Sequence, residues 1–409
     1  MSADTRLPVR ARDDRRVRLR TGWRGQVRSA LRRAALALLI YAALRLCGLL
    51  VMALWSWHAG KQPGKLLGRS WDSVWYERLA EHGYGTVLHG TDPSYIYSDL
   101  AFFPLYPALV RGVRTVVPLG FVEAGLLVSW AAAAVAAWGI YAVGERLAGR
   151  RAGVLLVVLW GVLPHAIVQS MAYTESLMTA FAAWALYAAL TGRWLWAGTF
   201  AALAGLSRPN GVAVAAAVSL GAAWQICQLW RNRAPDSLSL SARQDWRLWA
   251  GAALAPLGWA GYVLWVGWRK GSPLFGYFAV QRGWGSKFDF GQDGWETVRR
   301  TVLGPMRLPY PMAIAVVAVA IVLFVLLMLD RPPLALVVYS GVLLVITLGG
   351  ARYFGCKPRF LLPAFPLLLP VAVGMARARA RTVVVTIGAL AGLSWCYGTY
   401  LLAIAVSAP

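Results

Sequence analysis

The stretch PYPMAIAVVAVAIVLFVLLML, residues 309–329, runs for 21 residues without one charged side chain. A helix of that length rises about 30 Å, the thickness of the hydrocarbon core of a bilayer. Working outward from it, apolar runs recur at roughly 34–56, 121–144, 152–168, 175–191, 194–207, 210–230, 248–268, 334–350, 359–376 and 382–405. The mean hydropathy is +0.55 and only 14% of residues are charged, where a soluble domain carries about 25%. The expected fold is therefore all-α, a polytopic membrane protein of about eleven transmembrane helices. One membrane domain spans 34–409, behind a basic cytoplasmic tail, 1–33, expected to be disordered. The run 194–207 is the shortest. The segment 102–120, interrupted by Pro104, Pro107, Arg111, Arg114 and Pro118, reads as interfacial or re-entrant, with a twelfth crossing as the alternative.

The net charge of +24 matters through its placement. Eleven arginines lie between Arg6 and Arg33, immediately before the first apolar run. Such a segment rests on anionic headgroups and fixes its end in the cytoplasm; membrane lipids, not nucleic acid, are its expected partner. It is not expected to be a cleaved signal, because no small-residue cleavage site follows the apolar run. With that end inside and one crossing per run, the short basic loops 145–151, 192–193, 231–247, 330–333 and 376–381 all fall on the cytoplasmic side, as the positive-inside rule requires. Loops 57–101 and 269–308 and the turns 169–175, 208–209 and 351–358 fall on the other side, with nine of the 17 acidic residues. Many of the 21 tryptophans sit at run ends, such as Trp55, Trp194 and Trp268, where interfacial anchoring accounts for them. Cys47, Cys227, Cys356 and Cys396 show no paired spacing, and His58, His82 and His89 have no metal-ligand spacing.

The motifs collect on the outer side. RSWDSVWYERLAEHGYG, 69–85, predicts a helix lying on the membrane surface, with Trp71, Trp75 and Leu79 on one side and Asp72 and Tyr76 on a neighbouring face. Asp72 would then stand at the rim of a cavity, while Glu77 and Glu81 keep the helix solvated. Asp99 precedes LAFFPLYPALVR; its carboxylate suits either a second acid in the site or an N-terminal cap. Two prolines three apart argue against an ordinary helix there. In LPHAIVQSMAYTESL, 163–177, His165, Gln169, Tyr173 and Glu175 gather at the ends of two adjoining spans. A carboxylate at membrane depth is a functional candidate, since inserting one costs about 2.5–3.5 kcal/mol. SRPNG, 207–211, offers Arg208, and ARYFGCKPRF, 351–360, offers Arg352, Lys357 and Arg359. Arginine on the outer side runs against the charge bias, and an anionic phosphate or an anionic headgroup supplies the reason. Gln281, Arg282 and Trp284 are placed to cover the cavity. Walker, dinucleotide-binding, HExxH and GxSxG motifs are absent from the sequence.

In these residues the chain resembles the PIG-V-like mannosyltransferases, a family within the GT-C glycosyltransferase class that includes the second GPI mannosyltransferase of eukaryotes and its bacterial relatives. WDSVWYERLAEHGYG, AFFPLYP, AYTESL, SRPNG and KPRF follow in order across residues 71–360. The resemblance implies a GT-C-like bundle with a long first extracytoplasmic loop bearing interfacial helices. It implies inverting transfer of mannose from a polyprenyl-phosphate donor to a lipid or glycan acceptor, on the outer face of a bacterial cell membrane. Asp72 corresponds to the catalytic base, with Asp99 as a catalytic partner. Tyr76, His165, Tyr173, Glu175, Arg208, Gln281, Arg282, Lys357 and Arg359 are the expected substrate-binding residues. The loops are short, so no GPI acceptor is carried over; no metal is called for and metal dependence stays open. The alternative class is a transporter or lipid flippase, which predicts polar groups and broken helices at mid-membrane rather than at one end.

Overall fold

The computed structural model describes residues 23–92, 94–231, 238–405 and 408. Among them helices dominate. Helix α1 (Trp23–His58) is followed by the short α2 (Pro63–Gly68) and α3 (Asp72–His82), then an antiparallel ribbon of β1 (Val87–His89) and β2 (Ile96–Ser98). Next come α4 (Leu105–Val116), α5 (Phe121–Ala148), α6 (Arg150–Gly161), α7 (Glu175–Leu190), α8 (Trp194–Ser207) and α9 (Val212–Arg231). The chain continues through α10 (Leu238–Leu254), α11 (Leu257–Arg269), α12 (Gly276–Gly283), α13 (Gln292–Leu303), α14 (Pro309–Leu329) and α15 (Leu334–Gly349). It closes with α16 (Lys357–Leu361), α17 (Leu369–Arg377) and α18 (Ala380–Thr399), the last running into a π turn at Tyr400–Ile404.

Among the described residues, six helices are long and apolar enough to cross a membrane: Gly25–His58, Phe121–Ala148, Pro209–Arg231, Trp246–Arg269, Pro309–Leu329 and Ala380–Ile404. A seventh crossing is available if Phe354–Leu361 and Phe365–Arg377, bent by 77°, form one broken span. Length alone does not reach the expected eleven. Glu175–Leu190, Trp194–Ser207 and Leu334–Gly349 are apolar but short, and the run 152–168 divides into α6 and a 3₁₀ turn, Ala166–Ser170. The short helices share a cause: each has an end where a polar motif begins, at Glu175, at Ser207–Arg208, or just before the 351–360 turn.

Three further expectations change. Residues 23–33, expected in the disordered tail, already belong to α1, while 1–22 lie outside the described residues. The segment 102–120 contains an ordinary helix, α4, too short to span: Pro104 caps it and Pro107 sits in its first turn, where the missing N–H has no partner to lose. The all-α reading holds for the bundle, but the first long loop carries the β1–β2 ribbon, paired Val87↔Ser98 to His89↔Ile96.

Close approach between helices comes from small residues, the usual device where lipid is as apolar as any side chain. A Cβ on Gly205 of α8 would meet the backbone nitrogen of Trp259 in α11 at 2.6 Å, and one on Gly144 of α5 would meet the Cα of Gly153 in α6 at 2.8 Å. An aromatic cluster closes the loop end of the bundle. Trp75 stacks on Phe102 with centroids 5.6 Å apart, and Trp284 packs edge-on against both rings.

Candidate active site

Asp72 opens α3, and its position is over-determined. Ser73 Oγ donates to the Ser70 carbonyl and accepts from the Ser70 N–H, both at 2.7 Å, tying the first turn back to Ser70. Tyr173 Oη donates to the same carbonyl. Trp71, at the cap, holds φ 52°, a strained value for a residue with a side chain; it precedes α3 rather than lying on its apolar face. The buried side of the helix is instead Ser73, Tyr76, Leu79 and Ala80. Tyr76 shares a hydrogen bond with Thr174, and burial, then the nearby Asp72 charge, hold its hydroxyl well above the ordinary tyrosine range, so it keeps its proton.

Glu175 begins α7, where the helix dipole favours a negative charge. Arg208 ends α8 and Arg359 lies in α16. Four side chains from four parts of the sequence meet in one file. Asp72 Oδ2 is 2.8 Å from Arg359 Nη2, Arg359 Nε is 3.2 Å from Glu175 Oε1, and the same Glu175 oxygen contacts Arg208 Nη1. Charges alternate along the file. Its inner members are sealed, with the Glu175 side chain 2% exposed, whereas Asp72 is 29% exposed at the open end. The Arg359 guanidinium lies over the Tyr173 ring, 5.1 Å from its centroid. Four buried guanidinium nitrogens in the file, Nε and Nη1 of both Arg208 and Arg359, make no hydrogen bond, so the contacts with Glu175 are ion pairs without hydrogen-bond alignment. A carboxylate open to an incoming hydroxyl, backed by guanidinium donors in a dry setting, is an arrangement for moving a proton on one side and receiving negative charge on the other.

Comparison with solved structures finds distant similarities to an oligosaccharyltransferase. The oligosaccharyltransferase AglB of Archaeoglobus fulgidus, in complex with an inhibitory peptide and a dolichol-phosphate, aligns with TM-score 0.47 and 14% identity over 90% of this chain. The same organism's oligosaccharyltransferase tethered to an acceptor peptide gives 0.47 and 13% over 90%, and its apo form 0.43 and 15% over 89%. The chain spans just over half of those structures, 56%, 56% and 55% of their lengths respectively. No family model matches the sequence, and no curated protein does.

The remaining sequence candidates divide by location. Asp99 is buried and turns to the β ribbon: its Oδ2 accepts from the Gly85 and Thr86 N–H groups at 2.7 and 2.6 Å, and its Oδ1 has no partner. No contact joins it to Asp72 among the described ion pairs and hydrogen bonds. Its role there is closer to a cap for the preceding loop than to a second acid beside the first. Lys357 is buried but points away from the file, with Nζ 3.4 Å from the Leu348 carbonyl, beside Gly294 of α13. Gln281 Nε2 donates to Tyr277 Oη at 2.7 Å, Arg282 is exposed, and Trp284 Nε1 donates to the Ser98 carbonyl. Gln281 and Trp284 brace the aromatic cover, and none of the three is in the file. Arg352 lies 3.9 Å from the centroid of the Tyr95 ring at the ribbon's turn. Glu77 accepts three bonds from Arg69, from Nε at 2.9 and 3.0 Å and from Nη2. Gln169 accepts from Tyr41 Oη and donates to the Trp160 carbonyl, deep in the bundle. His165 is 2% exposed, packs edge-on against Tyr397 and has no hydrogen-bond partner on either nitrogen. Sequence reading missed Tyr397 because a tyrosine inside an apolar run carries no signal of its own. It also missed Ser70 and Thr174, whose roles depend on partners far away in the chain.

Proposed function

We propose that this protein is an integral membrane glycosyltransferase that moves a hexose, mannose by the family resemblance, from a polyprenyl-phosphate donor to a lipid or glycan acceptor hydroxyl. The observation that carries the reading is the Asp72–Arg359–Glu175–Arg208 file, open at the carboxylate and sealed at the guanidiniums. In the proposed reaction the acceptor oxygen attacks the anomeric carbon from the side opposite the phosphate. The bond from that carbon to the phosphate oxygen breaks, the electron pair leaves with the phosphate, and configuration inverts. Asp72 takes the proton as the new bond forms. Arg359 and Arg208 offset the charge that grows on the leaving phosphate, and their donors are worth more here than in water because the site excludes it. Glu175 holds the two guanidiniums in place and is a positioning residue. A lipid-linked donor arriving through the bilayer accounts for the missing nucleotide motifs.

The test uses the purified protein in lipid, radiolabelled polyprenyl-phosphate mannose and a crude pool of lipid and glycan acceptors. Wild type transfers label; Asp72→Asn lowers transfer by about 100-fold or more, the usual contribution of a general base. Equal transfer by the variant removes Asp72 from the reaction.

A further inference from the structure

Asp99, which the transfer reaction does not use, stands at a cavity of its own. A space of about 180 Å³ opens between the base of the ribbon and the end of α11, with Gly85, Ser98 and Asp99 lining it from the ribbon and Arg269 and Lys270 from the helix. Hydrogen bonds fix the two parts together. Tyr262 Oη, from α11, reaches the Leu100 and Phe102 carbonyls at 3.0 and 2.7 Å, and Tyr84 Oη donates to the Phe102 carbonyl at 2.8 Å. The Asp99 residue is 2% exposed; its Oδ2 is spent on the Gly85 and Thr86 amides, while its Oδ1 is buried and unpaired. Buried polar groups almost always find partners, and one left unpaired is costly. Arg269 and Lys270 are exposed, and neither meets a carboxylate among the described ion pairs. The cavity therefore joins two cations to a carboxylate that lacks a donor. Its level in the membrane narrows the ligand. Trp246–Arg269 is long and apolar enough to cross, so Arg269 and Lys270 stand where that crossing ends. Trp265 and Trp268 are exposed just before them, as interfacial aromatics are. At the surface of a bilayer the groups within reach are phospholipid headgroups. A phosphate matches the cations, and the carboxylate calls for an N–H or O–H beyond that phosphate.

We propose that this cavity binds the headgroup of a phospholipid that carries a hydrogen-bond donor beyond its phosphate, an ethanolamine ammonium or a glycerol hydroxyl. Arg269 and Lys270 hold the phosphate, and the donor at the end of the headgroup pairs with Asp99. A choline headgroup offers the same phosphate but no N–H or O–H, so the site discriminates against it. A lipid seated there fastens the ribbon to the bilayer surface beside the crossing. The site is separate from the charged file and stands whether or not the chain transfers a sugar.

The test reads binding alone. Delipidated full-length protein in detergent is titrated in turn with dioleoyl phosphatidylethanolamine, phosphatidylglycerol and phosphatidylcholine, and bound lipid is followed by native mass spectrometry. Wild type holds its first molecule of the ethanolamine or glycerol lipid about ten-fold more tightly than the choline lipid, the effect of one hydrogen bond to a charged group. A preference for either one over the choline lipid supports the site and names the donor. Asp99→Asn keeps an oxygen for the Gly85 and Thr86 amides and puts an NH2 group in place of the other oxygen, so the preference disappears. Arg269→Gln combined with Lys270→Gln changes only exposed side chains and weakens the preferred lipid about ten-fold or more. Choline lipid held as tightly as the others by wild type overturns the proposal, as does a preference that survives in Asp99→Asn or an affinity that survives loss of both cations. Inorganic phosphate that displaces the bound lipid at equal concentration overturns the assignment to a phospholipid.

Discussion

Glu175 and Asp72 are both carboxylates paired to Arg359, yet they are set up for opposite outcomes on substitution. Glu175 is sealed between two guanidiniums, so Glu175→Gln leaves the buried Arg208 without a counter-charge beside Arg359, which keeps only Asp72. Breaking a buried pair from one side costs about 3–5 kcal/mol. The variant should unfold at clearly lower temperature in detergent, by intrinsic fluorescence or light scattering, whatever its activity. Asp72 is partly open to solvent, which screens its pairing. Asp72→Asn should therefore keep an unfolding temperature close to wild type while losing transfer. If the two variants lose stability equally, the burial contrast along the file is wrong. Asp99 answers a different question: with its Oδ2 on the Gly85 and Thr86 amides, Asp99→Ala should loosen the ribbon. Faster amide exchange at Gly85 and Thr86 would show it.

At the scale of elements, two predictions follow from how helices and loops meet. The first concerns α8 and α11, which touch through Gly205: an added methyl would press on the backbone of Trp259, and backbone cannot rotate away. Gly205→Ala should cost about 1–3 kcal/mol as an overpacking change, measured as a lowered unfolding midpoint. A neutral result would mean that the helices separate easily at this crossing. The second concerns the loop between α12 and α13 and the start of α13. Burial pushes the Asp289 carboxyl up, but the N–H groups of Asp293 and Gly291, together with Lys357 and Lys287, outweigh it and hold it below the ordinary value. A depressed folded value means stabilisation that is present above the ordinary carboxylate range, about pH 4, and lost as pH falls through the folded value. Asp293 Oδ2 in turn accepts from the Arg352 N–H at 2.8 Å, tying that loop to the 351–360 turn. Protection factors at Gly291, Asp293 and Arg352, taken relative to intrinsic exchange, should therefore fall together below about pH 4. Protection there that does not change across this range would dismiss Asp289 as the clasp.

The whole molecule depends on a membrane to gather its motifs. Cysteines placed at His89 and Lys287, in a background with the four native cysteines replaced by serine, should react with an impermeant maleimide from one side of sealed vesicles. Cysteines at Arg193 and Arg331 should react only from the other. Labelling of 89 and 287 from opposite sides would break the arrangement in which both outer loops border one site. In the sequence, eleven runs counted as one crossing each put every short basic loop on one side, whereas the described helices offer six long crossings, or seven with the bent pair. The number of crossings was harder to read. A run such as 152–168 looks continuous in hydropathy, but α6 stops at Gly161. The Arg45 guanidinium from α1 reaches the Gly161 carbonyl at that stop and donates to Ser170 Oγ at 2.8 Å.

By itself the sequence determined that the chain lives in lipid, where its long apolar helices lie and which polar motifs stand apart from them, because each of these is a local property of some twenty neighbouring residues. It also singled out Asp72, Glu175, Arg208 and Arg359, since charge next to apolar runs is conspicuous. Only the tertiary structure decided that these four form one file, that Lys357 and Asp99 turn elsewhere, and that Tyr397 belongs beside His165. Those outcomes depend on which edges of a guanidinium are already taken and which donors are left without an acceptor. Such facts arise from packing between distant segments, and no window of sequence contains them.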